Sequence, residues 1–234
     1  MTMEIQQPQQ DDNIIQTPYH TLIKEEENPR LEQLDVEIKG DEPAPKIYEE
    51  QPGFTKYSLY LGEFQAEGSM NHKIYNTLLK ANPDDLLEIH ISSSGGNFYE
   101  ILEFYNIIKP KFNNIVTYLT YGYSAGSMAF LMGTERIVYE HSDMMIHSYT
   151  GGAYGKRQDM LDQTIHQDKM LNTFFTKIYS QYLTKKEINK LLKGQDFWLD
   201  TQDIIKRKIC TGIVTDDGVY YTLKEYKKML KGKK

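Results

Sequence analysis

The sequence predicts an α/β fold with largely parallel strands, and three observations lead to this prediction. From residue 56 onward, short apolar segments alternate with segments in which apolar residues recur at helical spacing. The strand-like segments are apolar along most of their length, which is typical of strands covered on both faces. No internal repeat interrupts this alternation, and successive strand–helix units characterise α/β domains.

The predicted strands and helices alternate along the chain. Strands are predicted at 56–62, 86–92, 115–123, 136–140 and 143–149. Helices are predicted over 69–81, 98–108 and 124–133, followed by a long helix over 156–183. The sequence from Thr184 to Glu187 is typical of a capping box that begins a further helix, and Gly194 suits the end of that helix.

The composition excludes several classes of protein. The chain has 234 residues, one cysteine and a net charge of −6. A single cysteine excludes an internal disulfide and a thiolate zinc site. No apolar run approaches the ~20 residues of a membrane helix, the N-terminus lacks the features of a secretory signal, and a mildly acidic chain disfavours nucleic-acid binding. We therefore expect a cytoplasmic protein that binds no metal, cofactor, membrane or nucleic acid.

The acidic residues are concentrated at the N-terminus. Residues 1–50 hold 13 acidic and 4 basic side chains, and six of the eight prolines lie within the first 52 positions. We expect residues 1–52 to be a disordered or loosely attached tail, with a processed propeptide or a partner-docking arm as the alternatives. The predicted domain then spans 53–221, and a basic C-terminal tail follows at 222–234.

The first candidate for catalysis is Ser124, in the sequence Gly122-Tyr-Ser124-Ala-Gly126 between a predicted strand and a predicted helix. Free N–H groups at a helix N-terminus favour developing negative charge, and small flanking residues allow the sharp turn of a nucleophile elbow. The alternative interpretation is that Ser124 or Ser127 only caps a packed helix.

Two further segments carry polar groups that suit acyl transfer. His147 follows an apolar strand and has the proton affinity of a general base near pH 7, although position alone does not distinguish it from His90. The pair Gly95-Gly96 ends another strand and suits an oxyanion hole, a phosphate-binding turn or a plain tight turn. Asp196 suits the orienting member of a triad, or a residue of a surface turn.

Together these segments resemble the proteolytic subunit of the Clp protease (ClpP) over about residues 56–217. Residues 91–96 resemble the family's I-N-S-P-G-G, 124–131 its S-M-G-A-F-L, 145–152 its M-I-H-Q-P-L-G-G, and 196–199 its D-x-F-[LM]. The order Ser, His, Asp is also the family's. Ser94 stands where the family has proline, and Ser148-Tyr149 stand where it has Gln-Pro.

The nucleophile segment can be aligned with the family in two ways. A match without a gap puts Gly126 at the nucleophile position, which would make the site inactive. A match with a shorter loop at 133–136 puts Ser124 there, and Ser127 is the fallback. We prefer Ser124, because the enzyme then needs only a shorter surface loop.

The resemblance implies the residues of a serine endopeptidase. In the triad, Ser124 would be the nucleophile, His147 the base and Asp196 the acid that orients the histidine. Two backbone N–H groups would form the oxyanion hole, those of Gly96 and Ala125. Three residues would bind substrate, with the segment 97–99 as an extended edge: Gly95, Asn97 and Phe98.

The resemblance also implies an architecture and partners. The fold would be a ClpP/crotonase-like spiral of strand–helix units, with the helix 156–183 as a handle that joins two stacked heptameric rings of this chain. Unfolded polypeptides would be supplied by a separate AAA+ unfoldase, since the chain has no nucleotide-binding motif. Three other functions stay open: a viral capsid or scaffold maturation protease, a catalytically inactive structural subunit, and a crotonase-type acyl-CoA enzyme.

Overall fold

The computed structural model describes residues 13–16, 20–26, 31–34, 47–50, 53–65 and 72–232. Within these ranges the strands are β1 (Ile14–Gln16), β2 (His20–Glu26), β3 (Leu31–Leu34), β4 (Ile47–Glu50), β5 (Thr55–Leu61), β6 (Leu86–Ser93), β7 (Asn114–Tyr123), β8 (Glu135–Ile146), β9 (Phe197–Asp200), β10 (Gly212–Val214) and β11 (Tyr220–Thr222). The helices are α1 (His72–Lys80), α2 (Phe98–Ile108), α3 (Ala125–Phe130), α4 (Arg157–Tyr179), α5 (Lys185–Leu191), α6 (Thr201–Lys206) and α7 (Leu223–Gly232).

A nine-stranded sheet forms the centre of the fold. Its order is β1-β2-β5-β6-β7-β8-β10-β11, and β9 pairs with β8 off this path. The central strands β5, β6, β7, β8 and β10 run parallel, whereas the outer pairs are antiparallel. The predicted α/β fold with largely parallel central strands is therefore confirmed.

Alternate residues of the central strands point to opposite faces of the sheet. One set is fully buried among the helices, with Leu59, Ile89 and Leu119 as examples. The short helix α3 packs against β6 and β7, and all six of its residues are buried. This explains why the segment is composed of small and apolar residues: nothing larger or more polar fits between the sheet and α2.

The described part of the acidic N-terminal segment belongs partly to the sheet. Strand β2 pairs antiparallel with β5 along its whole length, from His20 opposite Leu61 to Glu26 opposite Thr55. Leu22 of β2 is fully buried. The expectation of a loosely attached tail therefore does not describe residues 20–26, because apolar side chains of β2 cover the edge of the core. The domain limits themselves stay predictions.

Strand β8 corrects the prediction of two separate strands at 136–140 and 143–149. The structure has one strand of 12 residues that changes partner along its length, from β10 to β9. Between these halves its register with β7 shifts at a bulge of polar residues, and such a bulge bends a strand. The strand ends at Ile146, so His147, Ser148 and Tyr149 lie outside the ladder.

Buried hydroxyl groups stabilise this bend. The Ser142 N–H donates to Thr201 Oγ1 at 2.8 Å, and Thr201 Oγ1 lies within hydrogen-bond distance of the carbonyl oxygens of Tyr139 and Ser142. Ser142 Oγ in turn accepts from the Tyr139 N–H at 2.8 Å. The backbone groups that the bend withdraws from the ladder thus find partners on two side chains.

The helices lie close to their predicted limits. Asn97 caps α2, and the capping box between Thr184 and Glu187 is present at the start of α5. Helix α4 is 23 residues long and ends four residues before the predicted limit. Helix α7 falls within the predicted basic tail and packs through the buried side chain of Tyr226. No described helix is long and apolar enough to cross a membrane.

We expect Thr201→Val to lower the free energy of unfolding by about 1–3 kcal/mol, because it leaves the buried Ser142 N–H without an acceptor at nearly constant side-chain volume. Urea denaturation of the purified variant measures this. Thr173→Val is the control, because Thr173 is exposed and donates only to Lys169 O within α4, so a change below about 0.5 kcal/mol is expected. Equal destabilisation of both variants would contradict the role of the buried hydroxyl.

Candidate active site

Ser124 lies at the junction of β7 and α3 in a strained backbone conformation. Its φ is +53° and its ψ is −117°, a region that residues with a side chain rarely adopt. Its N–H donates to Met145 O at 2.9 Å, which fixes the end of β7 against β8. A strained serine on a sharp strand-to-helix turn is the geometry of a nucleophile elbow, which exposes the hydroxyl at the edge of a sheet.

Glycines on the neighbouring segments make room for this turn. A Cβ on Gly95 would lie 2.7 Å from Ser124 Cβ, and a Cβ on Gly126 would lie 2.9 Å from Ser93 O. Real Cβ atoms do not approach other atoms so closely. The strand-end Ser93–Gly95 and the first turn of α3 therefore come into direct backbone contact.

A cleft of about 250 Å³ opens beside Ser124. Its polar wall includes Ser124, His147 and the segment 148–152, and its other wall comes from the start of α2 and from α4. Apolar side chains form its floor: Phe98, Ile101, Met128, Leu171 and Phe175. Such a cleft suits an apolar group held next to a polar, reactive edge.

Of the three residues considered for the nucleophile position, only Ser124 lines the cleft. Ser127 is fully buried, donates to Ser124 O at 2.6 Å and lies 2.8 Å from Tyr179 Oη. Gly126 packs against Ser93. Ser127 is therefore a structural residue that holds the first turn of α3, and Gly126 does not face the cleft.

His147 follows the last residue of β8 and lines the cleft in a half-buried position. Burial lowers its pKa below the ordinary 6.5, and the carboxylate of Asp196 partly opposes that shift. In the antiparallel ladder of β8 and β9, Ile146 lies opposite Phe197. Continuing this register by one position sets Asp196 opposite His147. The bend and pairing of β8 thus explain why residues so far apart in sequence interact.

Asp196 itself is exposed and does not line the cleft. Among the residues that the structure describes, no hydrogen bond joins Ser124, His147 and Asp196. The fold brings the three to one edge of the sheet, and the electrostatic effect of Asp196 on His147 is the interaction seen between them.

The Gly95-Gly96 turn pairs with Phe64, the third residue after β5. The Phe64 N–H donates to Gly95 O at 2.7 Å, and Asn97 N–H donates to Phe64 O at 2.5 Å. Because backbone groups alternate in direction along an extended segment, the Gly96 N–H points away from Phe64, and Gly96 lines the cleft. Ala125 also lines the cleft, and its N–H belongs to the first turn of α3, where no intrahelical acceptor exists. Both groups suit an oxyanion.

The expected substrate edge differs from the structure. Gly95 lies beneath Ser124 and does not line the cleft, whereas Asn97 and Phe98 do. Only Asn97 is extended, since its side chain accepts from the Tyr99 N–H and α2 begins at Phe98. The predicted extended edge over 97–99 is therefore wrong, because the helix cap ends the extended backbone at once.

Sequence reasoning missed the contribution of α4 and of Tyr149. Leu171 and Phe175 were recognisable only as an apolar helix stripe, yet they form part of the cleft floor. Tyr149 lines the cleft, and its hydroxyl donates to Asp168 of α4. This contact joins the segment after His147 to the helix, at the position where the ClpP motif has proline.

The other candidate histidine, His90, does not line the cleft. His90 stacks between Tyr60 and Tyr118, with ring centroids 4.6 and 4.7 Å apart. These three residues face each other across β5, β6 and β7. His90 is therefore part of an aromatic row on the sheet, and the structure separates it from the cleft that His147 lines.

Comparison with known proteins adds an independent observation. The model of the Clp protease family matches residues 57–217. The chain is 28% identical over 163 residues to the ATP-dependent Clp protease proteolytic subunit 1 of Prochlorococcus marinus subsp. pastoris, covering 63% of this chain and 78% of that protein. It is 32% identical over 127 residues to the subunit 1 of a Synechococcus species, covering 49% and 62%. For subunit 2 of Parasynechococcus marenigrum the identity is 31% over 126 residues, with the same coverage.

We expect Asp196→Asn to lower the pKa of His147 further, because the substitution removes the one carboxylate that opposes the effect of burial. Histidine C2-proton NMR titration measures this, with His147→Gln to assign the resonance. Asp200→Asn at the other end of β9 is the control, because asparagine also caps α6 in place of Asp200. A His147 pKa that rises or stays constant in Asp196→Asn would contradict the electrostatic contact.

Proposed function

The chain belongs to the Clp protease family, and we propose that it is a serine endopeptidase of the ClpP type that cleaves unfolded polypeptides. The observation that carries this proposal is the strained backbone of Ser124 at the mouth of a cleft that His147 also lines. Strain of this kind costs about 1–3 kcal/mol, persists only where the surrounding structure enforces it, and is concentrated at active sites. A residue that only capped α3 would not need it, and Ser124 makes no side-chain capping bond.

In this proposal Ser124 Oγ attacks the carbonyl carbon of a peptide bond while His147 accepts the hydroxyl proton. His147 is suited to this step, because burial keeps its pKa below 6.5 and the imidazole is then neutral at neutral pH. The imidazolium passes its proton to the leaving amine as the C–N bond breaks. A water molecule, activated by the same histidine, then hydrolyses the ester on Ser124.

Asp196 would orient the imidazole and stabilise its charged form. Its carboxylate already acts on His147, and Asp196 directly precedes β9, whose register with β8 sets it opposite His147. Catalytic hydrogen bonds are often long in the absence of substrate and tighten in its complex. We therefore propose the triad from the register of β8 with β9 and from the electrostatic effect of Asp196 on His147.

The oxyanion that forms during the attack would be bound by the N–H groups of Gly96 and Ala125, from two different segments. A single donor of this kind contributes about a hundred- to a thousandfold in rate. The apolar floor of the cleft would hold the side chain next to the scissile bond, and Asn97 and Phe98 would contact the substrate backbone.

The exposed part of α4 supports a role in assembly. Residues 157–166 are exposed apart from Met160, and they include Leu161 and Ile165 on one stripe. An unpartnered helix with an apolar stripe suits contact with another copy of the chain. We propose that α4 joins two stacked heptameric rings in the cytoplasm, fed by a separate AAA+ unfoldase.

The other functions considered are less well supported by these residues. An inactive subunit would need no strained serine at the cleft, and a crotonase-type enzyme would need no paired Ser124 and His147. A viral maturation role would use the same chemistry on a different substrate.

We expect Ser124→Ala to abolish labelling by a fluorophosphonate probe and to lower kcat for a small fluorogenic peptide by roughly 10⁶-fold, that is, to background. Peptide mapping of the labelled wild type should place the adduct on Ser124. Ser92→Ala is the control, because Ser92 is an exposed serine outside the cleft. Full activity in Ser124→Ala would overturn the proposed function.

We expect Leu161→Asp with Ile165→Asp to halve the mass of the assembled protein, because two charges on the apolar stripe of α4 would prevent ring stacking. Native mass spectrometry measures this. Leu230→Asp on α7 introduces a charge at a leucine of similar exposure (41% against 45% for Leu161) and should keep the wild-type mass. An unchanged mass in the α4 variant would show that this stripe does not join the rings.

A further inference from the structure

Glu63 binds both hydrogen-bond donors of Ser94 with one carboxylate. The Ser94 N–H donates to Oε1 at 2.8 Å, and Ser94 Oγ donates to Oε2 at 2.6 Å. Glu63 directly precedes Phe64, which pairs with Gly96, and Ser94 directly precedes Gly95. The residues 63–64 therefore hold the whole turn from Ser94 to Asn97, by two side-chain and two backbone hydrogen bonds.

The turn has little conformational restraint of its own. Gly95 and Gly96 adopt φ values of +109° and +132°, in a region where glycine moves freely and other residues are strained. A proline at position 94 would restrict the backbone just before these glycines, because its ring fixes φ. This chain has serine there. Besides the hydrogen bond from the Gly95 N–H to Ser93 Oγ at 3.1 Å, the restraint comes from the neighbouring segment 63–64, where Phe64 pairs with the glycines and Glu63 holds Ser94.

Small movements of the turn would reach Ser124 directly. A Cβ on Gly95 would lie 2.7 Å from Ser124 Cβ and 2.8 Å from Tyr123 O, so the two segments are already in backbone contact. The Gly96 N–H belongs to the next residue of the same turn. Its direction relative to the Ser124 hydroxyl therefore depends on how firmly the turn is held.

We infer that Glu63 is a positioning residue for the oxyanion hole: it holds Ser94 so that the Gly96 N–H faces the cleft beside Ser124. This inference rests on the proposed function, since it assigns Glu63 a role in that reaction. Glu63 does not touch the substrate. Because the carbonyl oxygen becomes negatively charged only as the tetrahedral intermediate forms, and not in the bound substrate, loss of Glu63 acts on kcat more than on KM.

The first test is Glu63→Ala, measured with the fluorogenic peptide on the full-length protein. We expect kcat to fall about ten- to a hundredfold with KM nearly unchanged, less than for loss of a donor because the Gly96 N–H is displaced and not removed. The affinity for a peptide boronate, which forms a tetrahedral adduct with serine, should fall with kcat. Glu63→Gln keeps one acceptor oxygen, so its kcat should lie between those of the wild type and Glu63→Ala.

The matched control is Glu225→Ala. Glu225 accepts from Thr222 N–H at 2.9 Å and from Thr222 Oγ1 at 2.7 Å, the same pair of bonds at the start of α7. Glu225 does not line the cleft. This variant should keep the wild-type kcat and boronate affinity. It therefore separates the effect of losing such a pair of hydrogen bonds on the protein in general from an effect on the oxyanion hole.

Rescue provides the second test. Ser94→Pro in the Glu63→Ala background should restore most of kcat, because proline fixes φ at position 94 and requires an extended residue before it, as Ser93 already is at the end of β6. A loss that proline does not restore would overturn the inference that Glu63 acts through the turn. Equal kcat in wild type and Glu63→Ala would overturn it as well, while leaving the proposed function intact. A wild type no more active than Ser124→Ala would overturn both.

Discussion

The close approach of three backbone segments is the constraint on which the candidate site depends. A Cβ on Gly96 would lie 1.9 Å from Phe64 O, and one on Gly95 would lie 2.7 Å from Ser124 Cβ. The segment after β5, the turn after β6 and the junction of β7 with α3 are thus packed without any intervening side chain. That contact sets the distance between a backbone donor and the serine hydroxyl, and it makes the glycines of this turn irreplaceable.

The second half of the site depends on the bend of β8. The bend lets one strand pair with β10 first and with β9 afterwards, so that His147 emerges beside Ser124 and opposite Asp196. The backbone groups at the bend are satisfied by Ser142 of the strand itself and by Thr201 at the start of α6. A local loss of regular pairing therefore makes the juxtaposition of distant residues possible.

Much of the fold could be predicted from the sequence, because its elements have local signals. The limits of α2 and the capping box at Thr184 follow from side chains within a few residues. The continuity of β8 could not be predicted, since its bend is satisfied by Thr201, which lies far away in sequence. Ser124 and His147 could be chosen only through the resemblance to the ClpP motifs. The neighbouring sequence shows neither the backbone strain of Ser124 nor what distinguishes His147 from His90. Glu63 lies outside every motif and Tyr149 departs from the one that contains it, so only their contacts show what these two residues do.

The position of the single tryptophan gives the molecule a built-in optical reporter. Trp198 lies two residues after Asp196 on β9, is 59% exposed, and packs edge-on against Tyr123, the residue before Ser124, at 5.4 Å between ring centroids. Indole emission responds to the polarity and quenching groups around the ring. Any shift of β9 relative to β7 changes those surroundings, so the intrinsic fluorescence of the unlabelled chain registers rearrangement at the very strands that bring the acid and the serine together.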